Sequence, residues 1–349
     1  MEFEYLNARV RGWRSRLLKK ADYELLLAVP AIADLSDKLR ATPYAAYIEA
    51  ARSVLGKQPE AEIIEKGLKT GLQKSLEGLW KNIPQKSEGY FTAVLSYWDV
   101  YNLKTLLRGA DKGVQPEEIF NLLLPGGALD EGALMELSQA REARSIAEFL
   151  ETWGSPYAGP IRDNLEQYMK DKDLMPVELA LDRFLYKHSL NAIRGKGTDA
   201  LVIRALIRDR IDLTNIATLM KLAGEKTLAA DLYFIKGGLR LSEEAFKSLV
   251  NVKKMPGLLK GLAENLSDFK WRETVSSIDP EEGHLLPGRL EGLAMNNLWR
   301  AAVIEPLGIA LPVYFVHEKI REMRNLRAIV RGKAYRVPEY EMRKHVIYV

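Results

Sequence analysis

Three ten-residue phrases, spread along 349 residues, constrain what this chain can fold into. They read DVYNLKTLLR at 99–108, DLTNIATLMK at 212–221 and EMRNLRAIVR at 322–331. Each carries an acid (Asp99, Asp212, Glu322), then an asparagine three residues on (Asn102, Asn215, Asn325), then a base six beyond it (Arg108, Lys221, Arg331). The asparagines are separated by 113 and 110 residues. Other markers keep nearly the same offset. TPY at 42–44 returns as SPY at 155–157 and, more weakly, as SDF at 267–269; Glu65, Glu178 and Glu291 are evenly spaced; the pair Gly126-Gly127 recurs as Gly237-Gly238. Four markers in one register point to a threefold internal duplication.

The units this implies are 1–114, 115–223 and 224–349, each large enough for a small core of its own. The period is far longer than the roughly 20–50 residues of solenoid repeats, so a stacked superhelix is not expected. Three similar bundles about a pseudo-threefold axis, with a central hollow and two distinct ends, are.

The secondary structure reads as all-α. Apolar residues return at three and four positions, as in Leu95, Trp98, Leu103, Leu106 and Leu107. Gly109 and Gly332 follow basic residues and are expected to end helices. Asp130 and Ser242 are expected to open new ones as N-caps. Asparagine is a poor helix former, and a buried amide must be hydrogen-bonded. The recurring Asn therefore has two readings: it fixes how each bundle packs, or three such amides line a shared cavity.

Composition and motifs exclude several function classes. There is no cysteine, hence no disulfide framework, thiolate metal site or thiol nucleophile, which fits a reducing compartment. The four histidines, His188, His284, His317 and His345, stand apart, with no metal-ligand spacing. No phosphate-cradling G-x-x-x-x-G-K-[ST] run and no G-x-S-x-G elbow occurs. Catalytic, cofactor and metal residues are accordingly not expected. Residues 301–316, AAVIEPLGIALPVYFV, form the longest apolar run, but Glu305, Pro306 and Pro312 break it. It is too short for a bilayer crossing. The first residues lack the apolar segment of an export signal.

Net charge is +4, far from the excess of a dedicated nucleic-acid binder. Two segments are nonetheless basic. One holds Arg9, Arg11, Arg14, Arg16, Lys19 and Lys20; the other runs from Lys319, Arg321, Arg324 and Arg327 through Arg331 and Lys333 to Arg336. They are either solvated helix faces or surfaces for acidic partners, headgroups or RNA. Arg9, Arg11, Arg14, Arg16, Arg321, Arg324 and Arg327 are the interface candidates. ARVRG at 8–12 echoes AIVRG at 328–332, so in a closed ring of three the two basic helices would lie close together.

ARVRGWRSRLL, SYWDVYNLKTLLRG, LIRDRIDLTNIATLMK and KIREMRNLRAIVRGKA together resemble the C subunit of bacterial and archaeal A/V-type rotary ATPases, the counterpart of the d subunit of the vacuolar proton pump. The resemblance runs over essentially the whole length. The third copy departs by its Glu322 and its SDF. The resemblance implies a funnel of three helical bundles and a non-catalytic rotor subunit. Such a subunit would be a socket, monomeric within its complex, joining central shaft subunits of the D and F type to the membrane ring of ion-carrying subunits. It would lie peripherally at the cytoplasmic face of the membrane and transmit torque for ATP-coupled ion transport, without cofactor or nucleic acid. The alternative is a helical scaffold or RNA-binding adaptor using the basic terminal helices.

Overall fold

The structure is a computed structural model that describes residues 3–223 and 232–348. The unit boundary expected at 224 lies outside the described residues. The chain opens with α1 (Glu4–Arg14), α2 (Lys20–Ala28), α3 (Ile32–Leu39), α4 (Ala45–Leu55), α5 (Glu60–Trp80) and α6 (Glu88–Asp111). It continues with α7 (Pro116–Leu122), α8 (Glu131–Ser138), α9 (Ala143–Thr152), α10 (Ala158–Arg162), α11 (Leu165–Asp171), α12 (Met175–Ala192) and α13 (Thr198–Leu222). It closes with α14 (Glu243–Leu249), α15 (Met255–Asn265), α16 (Phe269–Ser276), α17 (Leu286–Ile304), α18 (Ala310–Ala334) and α19 (Glu339–His345). The fold is all-α, and no strand occurs among the described residues.

Local chemistry sets several helix starts. Asp130 accepts from the Ala133 amide at 2.8 Å and Ser242 from the Ala245 amide at 3.1 Å, so both act as the expected N-caps of α8 and α14. In the SDF echo, Asp268 caps α16 through the Trp271 amide at 3.0 Å. Proline sits in the first turn of α12 and α17, where its missing N–H leaves no helical bond unmade.

Gly109 and Gly332 correct the expected helix ends. Both lie inside helices, α6 and α18, which run on to Asp111 and Ala334. A Cβ on Gly109 would stand 2.6 Å from the Ile119 side chain, and one on Gly332 would overlap the Met342 sulfur. Here glycine lets the following helix approach closely.

The three long helices, α6, α13 and α18, have 24, 25 and 25 residues. Each follows a partner helix, α5, α12 or α17, of 21, 18 or 19 residues. The tightest packing between copies links each long helix to the partner helix of the next: α6 lies on α12, α13 on α17, and α18 on α5. The pairing thus returns from the last copy to the first. The apolar run at 301–316 folds as the end of α17, a turn and the buried start of α18, where Val313, Phe315 and Val316 sit in the core. Among the described residues no helix is long and apolar enough to cross a membrane.

Candidate functional site

The repeated asparagines do one thing three times. Asn102 donates its amide to the Leu124 carbonyl (2.7 Å) and accepts from the Leu124 amide (2.9 Å). Asn215 clamps Ile235 in the same way, at 2.9 and 2.9 Å, and Asn325 clamps Ile347 at 2.9 and 3.0 Å. A carboxamide carries a donor and an acceptor side by side, so it can satisfy both backbone groups of one residue. The packing reading of the asparagines is the one realised. None of the three lines the cavity described below.

The acids hold a different stretch of the following loop. Asp99 accepts from the amides of Ala128 and Leu129 at 2.9 Å each; Asp212 accepts from Leu239 and Arg240 at 2.8 and 2.9 Å. The recurring Gly-Gly pair has its reason here: a Cβ on Gly127 or Gly238 would collide with the carboxylate oxygen. Burial raises the Asp99 carboxyl to about 6 and pushes Asp212 up too. Tyr157, from SPY in the second copy, also donates to Asp99 at 3.3 Å.

In the third copy the longer Glu322 closes back onto the start of the chain. It accepts from the Leu18 amide at 2.6 Å, the Tyr44 hydroxyl at 2.6 Å and Lys319 at 2.7 Å. Tyr44 belongs to TPY. Burial and the Glu322 charge hold its hydroxyl well above the usual tyrosine range. The remaining junction has no counterpart, because Phe269 stands where the tyrosines do and is 68% exposed. There Arg240 pairs with Asp209 and stacks 4.6 Å over Trp271.

The bases complete two junctions of three. Arg108 grips Glu178 with two hydrogen bonds of 2.5 and 2.6 Å, and Arg331 grips Glu65 at 2.7 and 3.2 Å. Lys104 pairs with Asp182 at 2.5 Å beside the first. Among the described residues Lys221 and Glu291 form no such pair.

The basic segments lie against each other, as the echo between 8–12 and 328–332 implies: α1 packs on α18. Much of their charge is engaged inside the chain. Arg14 pairs with Glu318 at 2.6 Å, over the ring of Trp299; Arg11 donates to the Pro306 carbonyl. Arg327 is buried and donates to the carbonyls of Asn121 and Leu122. Arg9, Arg16 and Arg324 are exposed, and Arg321 is half-buried beside Glu318 and Glu322 in a groove with Lys19 and Lys20.

A cavity of about 420 Å³ lies between α6, α12, α13, α17 and α18. Tyr97, Tyr101, Tyr186 and Tyr233 line it, with the closed pairs Arg108–Glu178 and Lys104–Asp182 on one side. Lys221, Glu291 and Arg324 line it too, Lys221 sharing a smaller cleft with Arg108 and Glu178. Its buried Arg210 donates to the Val94 carbonyl at 2.8 Å and lies 3.1 Å from His317, whose imidazole burial pushes well below its ordinary range. No group of residues suited to a metal ion occurs among the described residues.

Glu65, Glu178, Tyr44 and Tyr157 stand out in the sequence as repeat signals, but nothing there shows that each bonds the preceding copy. Arg240 and Arg210 carry no such signal, since neither repeats: Arg240 occupies the position of Leu129.

A sequence model of the ATP synthase (C/AC39) subunit matches residues 6–345. The chain belongs to that family. It is 27% identical to the C subunit of the A-type ATP synthase of Methanothermobacter thermautotrophicus, over 95% of this chain and 84% of the relative. Identity to the A-type C subunit of Methanococcoides burtonii is 28%, over 99% and 94%. With the C subunit of the V-type ATP synthase of Deinococcus radiodurans it is 26%, over 99% and 91%. By this kinship the chain is a non-catalytic subunit of the A/V type.

Proposed function

We propose that the chain is a socket in the central stalk of an A/V-type ATPase or ATP synthase. It takes the tip of the shaft in its central cavity, rests by its other end on the membrane ring at the cytoplasmic face, and passes torque between them. The observation that carries this reading is the cyclic order of helix pairing, α6 on α12, α13 on α17 and α18 on α5, with five of these six helices, all but α5, lining one cavity. Three units, 1–114, 115–223 and 224–349, in a pseudo-threefold funnel would give such an order. A torque-bearing part needs rigidity, and polar clamps in every copy, buried in two and part-buried in the third, supply it. The adaptor reading loses support because Arg14, Lys319, Arg327, Arg331 and Lys333 all bond within the chain.

Native mass spectrometry of the purified chain with the shaft subunits of the same organism tests the reading. A one-to-one assembly is the expected result. No assembly with shaft subunits shown to be competent would overturn it.

A further inference from the structure

The three junctions differ in a way that the repeat does not require. At the first, Arg108–Glu178 and Lys104–Asp182 are both closed. At the junction of the third copy with the first, Arg331 closes on Glu65, away from the cavity. Between the second and third copies the equivalents of the first pair, Lys221 and Glu291, stay unpaired among the described residues, and Ala217 and Met295 stand where Lys104 and Asp182 do. Arg240 holds that junction by another route, through Asp209 and Trp271. Lys221 and Glu291 are therefore not needed to close it. Both line the cavity, together with Arg324, which also has no ion-pair partner among the described residues.

We propose that Lys221, Glu291 and Arg324 index the cavity: they set the angular orientation of the polypeptide end that enters it, by meeting carboxylates at Lys221 and Arg324 and a basic side chain at Glu291. The inference rests on the socket reading. A cavity with three equal walls would accept an occupant in three orientations about its axis. Here the lining carries two neutralised pairs and three charges without an ion-pair partner, a pattern that does not repeat around the axis, so an occupant with matching charges fits in one. Free charges of both signs favour a polypeptide over a small anion, which could satisfy only the cations. The free charges stay hydrated while the cavity is empty and gain their partners only on docking. Misplaced like charges are what penalise the other two orientations.

The test uses the full chain and the shaft subunits of its own complex. Affinity is measured for Lys221→Glu, Lys221→Gln, Glu291→Lys and Arg324→Glu, with thermal unfolding of each variant alone. The charge reversals should weaken binding about tenfold or more each, Lys221→Gln less, with the midpoint of unfolding unmoved. As a control, Arg162→Glu reverses an exposed charge that does not line the cavity and should leave affinity within about twofold of the original. Near-normal binding by all the reversals would sink the index while leaving the socket standing. Failure of the unaltered chain to bind competent shaft subunits would remove the socket reading, and the index with it.

Discussion

Replacing Asn215 by leucine keeps the number and branching of the side-chain heavy atoms and removes both halves of one clamp. Asn215 is fully buried, and Ile235, whose amide and carbonyl it holds, is 3% exposed. Water cannot replace the lost partner. Two orphaned backbone groups at about 1–3 kcal/mol each give roughly 2–6 kcal/mol, and leucine returns about 0.5 kcal/mol through better helix propensity. A net loss of about 1.5–5.5 kcal/mol is expected. The same change at Asn325 gives an internal reference. Ile347 is 42% exposed, so solvent can take over its groups, and about 1 kcal/mol should be lost. Urea unfolding followed by circular dichroism at 25 °C would read both. Equal losses at the two sites, or less than about 1 kcal/mol at Asn215, would refute the view that these asparagines act by satisfying buried backbone.

Gly238→Ala should destabilise by about 1–3 kcal/mol through its clash with Asp212, whereas Gly12→Ala, with open space around it in α1, should stabilise by about 0.5–1 kcal/mol; thermal unfolding distinguishes the two. Tyr44→Phe leaves the buried Glu322 carboxylate one donor short and should lose about 1.5–3 kcal/mol. Tyr157→Phe, with a longer bond of 3.3 Å, should lose less in the same assay. Lys69 is buried against the ring of Phe120, and burial, helped by the Arg327 charge, lowers its ammonium to about 7. Between that value and the ordinary lysine range near 10 the unfolded chain holds one more proton than the folded one. Lys69 should thus make stability rise with pH across this window, by up to about 1.4 kcal/mol per pH unit, and Lys69→Met should flatten the slope in urea titrations from about pH 6.5 to 9.5.

The threefold period, the all-α class and the caps at Asp130 and Ser242 were legible in the sequence, because each rests on residues within one turn or on self-similarity. So was the need of each asparagine for a partner, since a buried amide must find one and a helix interior offers none; that the partner is backbone was not. The glycines show where local reading stops. Gly109 and Gly332 look like helix ends, and only the packing of Ile119 and Met342 against them shows that the helices continue.

What the tertiary structure alone decided is which copy each repeated residue serves. A period states that environments are alike; it does not say whether a side chain bonds its own copy or its neighbour. The asparagines hold the segment that follows them, about twenty residues on, which for Asn102 and Asn215 lies past the boundary at the start of the next copy and for Asn325 within its own. The glutamates at 65 and 178 and the tyrosines of TPY and SPY reach the copy before them, and Tyr44 meets Glu322 only because the chain closes on itself across 278 residues. Likewise Lys221 and Glu291 repeat the pattern in sequence, yet stay apart in space. Spacing along the chain sets which residues are equivalent, while partners so distant in sequence are chosen by how the helices pack.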